Sequence, residues 1–177
     1  MAKGNKPEIS PQEAPPSFGV AIYADGSSRK TGEGGFGYVV LKDGKIVREG
    51  SGWEKQSTNN RMELTGVLTA LQFLVDACRI SGRLIPHITI WSDSEYVVNS
   101  FNKGWLENWK KYGWQNSSGE PVKNQDLWAQ LDFLTIACKQ AGIVLEWNWC
   151  RGHNGNYWNE HVDKLAQAAS AYAKTQP

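Results

Sequence analysis

The amino-acid sequence predicts an α/β protein with a mixed five-stranded sheet, in which three antiparallel strands precede parallel crossovers and helices flank the sheet. Two observations predict this fold class. The first part of the chain carries three β-rich segments joined by turn signals, whereas the later strands alternate with segments of helical periodicity. Where strands alternate with helices, the connections are right-handed crossovers, which place helices over the faces of a sheet.

The three predicted antiparallel strands come first along the chain. The segment "FGVAIYAD", from Phe18 to Asp25, is apolar and strand-like, and the polar, Gly-rich turn "GSSRKTGEGG" follows it. The second and third strands lie in "FGYVVLKDGKIVREGSGW", on either side of Asp43-Gly44. An Asp-Gly pair between β-rich segments is a strong hairpin signal, so these strands are predicted to be antiparallel.

A long helix and a fourth strand are predicted next. Thr58, Asn59 or Asn60 can cap the helix, whose apolar residues recur at helical spacing until Ser81-Gly82 stops it. The segment "HITIWSD" is the fourth strand and ends at Asp93, and "SEYVVNSF" opens a short helix.

The last part of the chain completes the predicted order β-β-β-α-β-α-α-β-α. The aromatic and basic segment "WLENWKKYGWQNSSGEPVKN" is predicted to be irregular. A helix over "QDLWAQLDFLTIACKQAG" and a fifth strand over "IVLEWNW" follow it. The last helix is predicted from Glu160 to about Lys174.

Length and composition predict one globular domain. The chain has 177 residues, of which 40% are hydrophobic and 21% charged, which excludes a fibrous or wholly disordered protein. We predict a flexible Pro-rich tail over residues 1–17 and a single domain over residues 18–174. The formal net charge of +1 means that any surface for nucleic acid must be local.

Cysteine usage and hydropathy predict a cytoplasmic location, or a nuclear one, depending on the source organism. The three cysteines form no C-x-x-C pair, which favours a reducing compartment, and we assign them no chemistry. The sequence shows no signal-peptide pattern and no run of the roughly 18 to 20 apolar residues that a membrane helix needs.

Four acidic residues take corresponding places in the predicted fold. Asp25 ends the first strand, Asp93 ends the fourth, Glu63 opens the first long helix and Asp163 lies in the first turns of the last helix. Ligand sites in open α/β sheets lie at the carboxyl ends of strands, so these side chains are expected to meet there. Four carboxylates raise one another's pKa unless a cation intervenes.

Oxygen ligands without cysteine suit Mg²⁺ or Mn²⁺. Two such ions about 4 Å apart would hold the attacking and the leaving oxygen of a phosphodiester, which predicts a nuclease.

Each of the four acids also has a simpler interpretation. Asp25 could belong to an ordinary turn, Asp93 could cap a helix, Glu63 could interact with a helix dipole and Asp163 could be a surface residue. Only the joint placement of all four at the ends of these elements favours a metal site.

Six motifs along the chain together resemble type 1 ribonuclease H. They are "YADGS", "TNNRMEL", "SDSEYV", "NWKKYGW", "PVKNQDLW" and "GHNGNYWNEHVDKLA". The resemblance runs from about Phe18 to Ala169 and is to the bacterial type with a basic protrusion. It implies the ribonuclease H-like fold and an endonuclease that cleaves the RNA strand of RNA–DNA hybrids, leaving 3′-hydroxyl and 5′-phosphate ends.

The resemblance also implies the roles of five catalytic residues. Asp25 would bridge two Mg²⁺ ions, for which Mn²⁺ could substitute. Asp163 would help to hold the ion that activates water, and Glu63 and Asp93 the ion facing the leaving 3′-oxygen. His153, in "RGHNGN", matches the family histidine that assists proton transfer or product release.

Residues for substrate binding carry over in the same way. Asn59 and Asn60 would lie in the minor groove of the hybrid, where RNA is told from DNA by its 2′-hydroxyl. Thr58 would contact a DNA phosphate, and Ser27 and Ser28 follow the first metal ligand as substrate contacts.

The basic protrusion would grip the DNA strand. Aromatic faces with interleaved cations suit a nucleic-acid backbone, and such binding weakens as salt rises. The protrusion residues that we carry over are Trp105, Trp109, Lys110, Lys111, Trp114 and Lys123. Glu95 stands where the bacterial family commonly has a glutamine that contacts the substrate, and a carboxylate cannot donate the same hydrogen bonds.

We therefore predict a monomeric, Mg²⁺-dependent ribonuclease H that acts on RNA–DNA hybrid, away from membranes and without an obligatory protein partner. Two alternatives stay open. The chain could be a hybrid-binding module with weak catalysis, or an integrase-like or resolvase-like nuclease, for which cleavage of DNA strands would be the sign.

Overall fold

The protein forms a five-stranded sheet flanked by helices. A computed structural model describes residues 19–152 and 155–177, so the predicted tail over residues 1–17 lies outside the described residues. The strands are β1 Val20–Ser28, β2 Gly34–Lys42, β3 Lys45–Glu54, β4 His87–Ser92 and β5 Val144–Trp149. The helices are α1 Asn59–Ser81, α2 Glu95–Asn102, α3 Trp105–Lys111, α4 Gln125–Gln140 and α5 Tyr157–Ala173.

The sheet has the strand order β3-β2-β1-β4-β5. β1 pairs antiparallel with β2, and β2 pairs antiparallel with β3. β4 is parallel to both β1 and β5, which confirms the predicted mixed sheet. The β2–β3 hairpin turns at Asp43 and Gly44, which both have positive φ values of 51° and 74°. Positive φ at both central residues is what a type I′ turn requires, so the Asp-Gly signal was interpreted correctly.

Helices cover both faces of the sheet. Alternate residues of β1 point to opposite faces, because side chains in a strand have a period of two. Val20, Ile22 and Ala24 pack in one apolar cluster with buried residues of α1, α2 and α4. Ala21 and Tyr23 pack in a second cluster with Val162 of α5. The two clusters lie on either side of β1.

α1 is the central helix of the first cluster. Within the described residues it is the single helix that is long and apolar enough to cross a membrane by length and composition. Its seven buried residues include Leu64, Val67 and Leu71, which pack in the cluster with the sheet. The apolar composition of α1 is accounted for by this packing.

The sequence-based prediction placed the end of the first strand too early. β1 continues past Asp25 to Ser28, because Gly26, Ser27 and Ser28 pair with β2. The predicted Gly-rich turn is therefore shortened to residues 29–33.

Two helices also differ from the prediction. The segment predicted to be irregular contains α3, in which Leu106 is buried and Lys110 and Lys111 occupy the last turn, where cations favour a helix dipole. α5 begins at Tyr157 and not at Glu160, because the side chain of Asn156 accepts a hydrogen bond from the backbone N–H of Asn159 and so caps the helix.

Candidate active site

Asp25 and Asp93 come together because the strands that carry them are neighbours in register. Tyr23 of β1 lies opposite Trp91 of β4 in the parallel pairing. Asp25 lies two residues beyond Tyr23 in β1, and Asp93 lies two residues beyond Trp91, directly after β4, so both are at the same edge of the sheet. Neighbouring strands are about 4.8 Å apart, which sets the spacing of the two backbones.

Gly26 allows α1 to bring Glu63 to the same place. A Cβ atom at position 26 would lie 2.2 Å from the backbone nitrogen of Glu63 and 2.6 Å from the carbonyl carbon of Met62. Only a residue without a side chain permits this approach, which puts the first turn of α1 directly on β1. The backbone N–H of Gly26 also donates to Asp25 Oδ1 at 2.6 Å.

Asp163 lies on α5, which packs on the face of the sheet opposite α1, the face to which Tyr23 and Trp91 point. A Cβ atom at Gly37 of β2 would lie 2.5 Å from the carbonyl oxygen of Val162, so α5 also packs closely on the sheet next to Asp163. The carboxylate of Asp163 accepts hydrogen bonds from Gln167 Nε2 at 2.8 and 2.9 Å.

The four carboxylates line one cavity of about 320 Å³. The described residues that line it include no lysine or arginine, so the negative charge has no basic counterpart in the lining. The lining residues are Asp25, Gly26, Ser27, Ser28, Asn59, Glu63, Asp93 and Asp163.

Asp25 has the most strongly perturbed carboxyl group of the cavity. Its side chain is buried, with 6% exposure. Burial, followed by the negative charges of Asp93, Asp163 and Glu63, raises the pKa of Asp25 from 3.8 to about 8, against the opposing hydrogen bond from Gly26. Asp25 therefore holds a proton near neutral pH unless a cation compensates its charge.

Glu63 is oriented by a hydroxyl group. The Ser94 side chain donates a hydrogen bond to Glu63 Oε2 and also accepts from the backbone N–H of Val97, which caps α2. Burial raises the pKa of Glu63, the hydrogen bond from Ser94 lowers it, and the charge of Asp93 raises it again.

The chemistry of these side chains fits a hard divalent cation. Carboxylate oxygens are ligands that Mg²⁺ and Mn²⁺ prefer, and a cation would relieve the repulsion that raises the pKa of Asp25. Among the described residues, no group of three acidic, histidine or cysteine side chains is arranged as a metal site. Glu63 and Asp163 instead accept hydrogen bonds from Ser94 and Gln167.

Two residues that hold Asp93 were missed by the sequence-based prediction. Asn159, which is buried in the first turn of α5, donates from Nδ2 to Asp93 Oδ2 at 3.3 Å. The indole N–H of Trp149, at the end of β5, donates to the backbone oxygen of Asp93 at 3.0 Å. Asn159 and Trp149 lie 66 and 56 residues from Asp93 along the chain, and no local sequence pattern reports such a contact.

Comparison with known proteins decides the family. A family model described as RNase H matches residues 18–171. The chain belongs to the ribonuclease H family. A ribonuclease H of Acetivibrio thermocellus is 41% identical over 148 residues, which cover 83% of this chain and 91% of that protein. A ribonuclease H of Treponema denticola is 42% identical over 160 residues, which cover 85% of this chain and 96% of that protein.

Solved structures agree with this assignment. A crystal structure described as a type 1 RNase H with the type 2 active-site motif is 31% identical, with a TM-score of 0.71, and covers 90% of this chain and 75% of that chain. A foamy viral protease-reverse transcriptase in complex with RNA/DNA hybrid has a TM-score of 0.72 at 20% identity, over 97% of this chain and 22% of that chain, and shows the shared fold. The protein is therefore a ribonuclease H enzyme of type 1, as the sequence motifs indicated.

The asparagine pair of this ribonuclease H is divided between two surfaces. Asn59 lines the carboxylate cavity, and its Oδ1 accepts from the backbone N–H of Ser28 at 2.5 Å. Asn60 faces a neighbouring groove of about 170 Å³ that leads towards α3. Neither asparagine is the helix cap, because the side chain of Thr58 accepts from the backbone N–H of Arg61 at 3.3 Å.

Two further predicted residues lie elsewhere. Glu95 is exposed in the first turn of α2 and does not line the carboxylate cavity, although it follows Ser94 directly. His153 lies outside the described residues.

The predicted protrusion is α3 with the loop that follows it. Trp105 and Trp109 line an open cavity of about 820 Å³. The other lining residues are Asn108, Tyr112, Gln115, Asn116, Ser117 and Gly119. Trp109 and Trp114 are partly buried and pack against the main core cluster. Trp105 and Trp109 therefore offer aromatic surface beside α3, and part of Trp109 and of Trp114 packs against the core.

The cations of the protrusion differ in how they are held. Lys110 Nζ forms ion pairs with Asp132 of α4 at 2.9 Å and with Glu107 at 3.1 Å. Lys111 is exposed and lies over the ring of Tyr112, with Nζ 5.4 Å from the ring centroid. Lys123 is also exposed. Lys110 is thus engaged within the protein, whereas Lys111 and Lys123 face solvent.

Proposed function

We propose that this protein hydrolyses the RNA strand of RNA–DNA hybrids with two divalent cations and leaves 3′-hydroxyl and 5′-phosphate ends. The observation that carries the proposal is the cavity in which Asp25, Glu63, Asp93 and Asp163 meet without a lysine or arginine among the described lining residues. Family membership supports the hydrolysis, and the solved complex of the foamy viral protein, which shares the fold, with RNA/DNA hybrid supports the substrate.

The carboxylates would divide the work of holding the cations. Asp25 would contact both ions, because it is the most buried of the four and feels the charge of the other three. Glu63 and Asp93 would hold the ion on the side of the leaving 3′-oxygen, and Asp163 the ion on the side of the attacking water. Bound Mg²⁺ would lower the pKa of a water molecule and stabilise the charge of the leaving oxygen.

The chain's own residues would orient the hybrid. Asn59 lies on the lining of the carboxylate cavity next to Ser27 and Ser28, where an amide can meet sugar and base edges of a minor groove. Asn60 lies in the adjoining groove with Lys123, on the route from the cavity to the protrusion. His153 would assist proton transfer or product release.

The protrusion would bind the DNA strand. Trp105 and Trp109 offer aromatic surface in the open cavity beside α3, and the exposed ammonium groups of Lys111 and Lys123 can approach phosphates. Binding is therefore expected to weaken as salt rises, because phosphate contacts release counterions.

The test is cleavage of three matched substrates. Labelled RNA–DNA hybrid, duplex DNA and duplex RNA of one sequence are incubated with the protein and Mg²⁺, and the product ends are analysed. We expect cleavage of the RNA strand of the hybrid alone. Asp93→Asn should abolish it, whereas Asp76→Asn, which removes a solvent-facing acid of α1 paired with Arg79, should not.

Three outcomes would contradict the proposal. Equal cleavage of all three substrates would exclude specificity for the hybrid, and cleavage of DNA strands alone would point to an integrase-like or resolvase-like nuclease. Tight hybrid binding without turnover in Mg²⁺ or Mn²⁺ would indicate a binding module. The predicted monomer and the cytoplasmic location remain predictions, and sedimentation of the purified protein tests the first of them.

A further inference from the structure

The Asp93 carboxylate accepts a side-chain hydrogen bond from Asn159, and two further hydrogen bonds hold the backbone around it. Trp149 donates to the backbone oxygen of Asp93 at 3.0 Å, and the backbone N–H of Cys150 donates to the carbonyl of Ser92 at 3.1 Å. Both contacts come from the end of β5 and fix the main chain of the turn. The carboxylate itself accepts a hydrogen bond from Asn159, whose Nδ2 lies 3.3 Å from Asp93 Oδ2.

Asn159 can donate to Asp93 in only one of the two orientations of its amide group. The amide oxygen and nitrogen are similar in shape, but only the nitrogen donates hydrogen bonds. With the amide turned over, Oδ1 would face the carboxylate of Asp93, and two acceptors would repel each other. Some further contact must therefore choose between the two orientations of the Asn159 amide.

Cys150 supplies that contact. Its Sγ lies 3.3 Å from Asn159 Oδ1, on the side of the amide away from Asp93. A thiol is a weak donor, and it satisfies the amide oxygen only when the nitrogen faces Asp93. Cys150 is 1% exposed and Asn159 is 2% exposed, so bulk water has no access to replace the thiol.

We propose that Cys150 is a positioning residue, whose thiol fixes the amide of Asn159 and, through it, the carboxylate of Asp93. The expected effect on catalysis rests on the proposed function, in which Asp93 is a ligand of a cation. The positioning itself is a property of the protein before it binds metal or hybrid. It gives a chemical role to a cysteine for which the sequence alone indicated none.

The kinetic test compares three variants with the wild-type protein. Cys150→Ala removes the thiol, Cys150→Ser keeps a donor at the same place, and Cys138→Ala removes another buried thiol, in α4. We expect Cys150→Ala to lower kcat by about three- to tenfold, the effect of losing one hydrogen bond, and to raise the Mg²⁺ concentration for half-maximal activity. KM for the hybrid should stay within about twofold, because no substrate contact is lost.

The two controls separate positioning from packing. Both alanine variants should lower Tm by a few degrees, since each removes a buried group. Cys150→Ser should recover most of kcat, and Cys138→Ala should keep the wild-type kcat and Mg²⁺ dependence. A serine variant as impaired as the alanine variant, or a wild-type kcat in Cys150→Ala, would overturn the proposal.

A second readout does not depend on turnover. In the metal-free protein labelled with ¹⁵N, the side-chain amide resonances of Asn159 should shift in Cys150→Ala and in Asp93→Asn, and stay in place in Cys138→Ala. Unchanged Asn159 resonances in Cys150→Ala would refute the positioning. If the wild-type protein cleaves no hybrid in Mg²⁺ or Mn²⁺, the proposed function fails, and the amide resonances still decide whether Cys150 orients Asn159.

Discussion

At the scale of single residues, the cavity orients its charges with neutral hydrogen-bond donors. Each of the four carboxylates accepts a hydrogen bond from a group without charge. The donors to Asp25, Glu63, Asp93 and Asp163 are, in that order, the Gly26 N–H, the Ser94 hydroxyl, the Asn159 amide and the Gln167 amide. Such donors direct a carboxylate without cancelling its charge, so the charge stays available to a cation.

Ser94 is the donor whose removal can be interpreted most directly. Ser94→Ala removes the cap of α2, which should cost about 1 kcal/mol of unfolding free energy. It also removes the hydrogen bond that lowers the pKa of Glu63, so the acid limb of the pH–rate profile should move to higher pH. Urea unfolding and a pH series of kcat/KM measure the two effects.

Ser94→Thr is the matched control, because it keeps the hydroxyl group. It should retain both the stability and the pH profile of the wild-type protein. A Ser94→Ala variant that loses stability while its acid limb stays in place would show that Ser94 serves α2 alone.

At the scale of elements, the position of α1 depends on the absence of a side chain at Gly26. In Gly26→Ala, the added Cβ would fall 2.2 Å from the Glu63 backbone, so α1 or β1 must shift. We expect a loss of activity of at least tenfold together with lower Tm, because Glu63 moves away from Asp25. Cleavage rates and thermal unfolding of the variant test this expectation.

Gly66→Ala provides a comparison within the same helix. A Cβ there would make only ordinary contacts, 3.4 Å from Ala24 Cβ and from the Gly37 carbonyl oxygen. Alanine also favours the helix over glycine. The variant should keep its activity, and an equal loss in both variants would argue against a specific role of the Gly26 contact.

The protrusion offers two neighbouring lysines with different predicted effects. Lys111→Ala should weaken hybrid binding and lower the slope of log affinity against log salt by roughly 1, as expected for a lost phosphate contact. Lys110→Ala should leave that slope nearly unchanged and lower stability, because Lys110 joins α3 to Asp132 of α4. Hybrid titrations at several salt concentrations, with both lysine variants made in the Asp93→Asn background for which the proposed function predicts no cleavage, distinguish them. Equal slopes in both variants would contradict this division.

At the scale of the whole molecule, the carboxylate cavity opposes folding when no cation is bound. The pKa of Asp25 is raised from 3.8 to about 8, so the native protein binds more protons than the unfolded chain between these values. The contribution of Asp25 to the free energy of unfolding of the metal-free protein should therefore be most favourable below about pH 4. It should fall as the pH rises to about 8.

Thermal unfolding in the presence of a chelator tests this dependence. Tm should decrease between about pH 4 and 8 in the wild-type protein and decrease less in Asp25→Asn, where the group cannot ionise. Mg²⁺ should raise Tm more at pH 8 than at pH 5, since protons compete with the cation. If Tm depends on pH in the same way in the wild-type protein and in Asp25→Asn, Asp25 does not control the pH dependence of stability.

The sequence predicted the acids of the site better than the groups that orient them. Glu63 and Asp93 could be placed because helix starts and strand ends have local signals, and Asp25 was placed near the same edge although β1 continues to Ser28. Asn159 and Trp149 could not, because their contacts with Asp93 join distant parts of the chain. The approach of α1 that Gly26 allows was missed for the same reason.

The register of β1 and β4 limits how the carboxylate cavity of this enzyme can be redesigned. Main-chain hydrogen bonds join β1 to β4 up to Tyr23 and Trp91, two residues before Asp25 and Asp93, at a strand spacing of about 4.8 Å. Under the proposed function, adapting the cavity to an ion larger than Mg²⁺ would therefore have to come from Glu63 and Asp163, which lie on helices. The paired strands fix one side of the site, whereas the first turns of α1 and α5 are the parts whose positions can be adjusted.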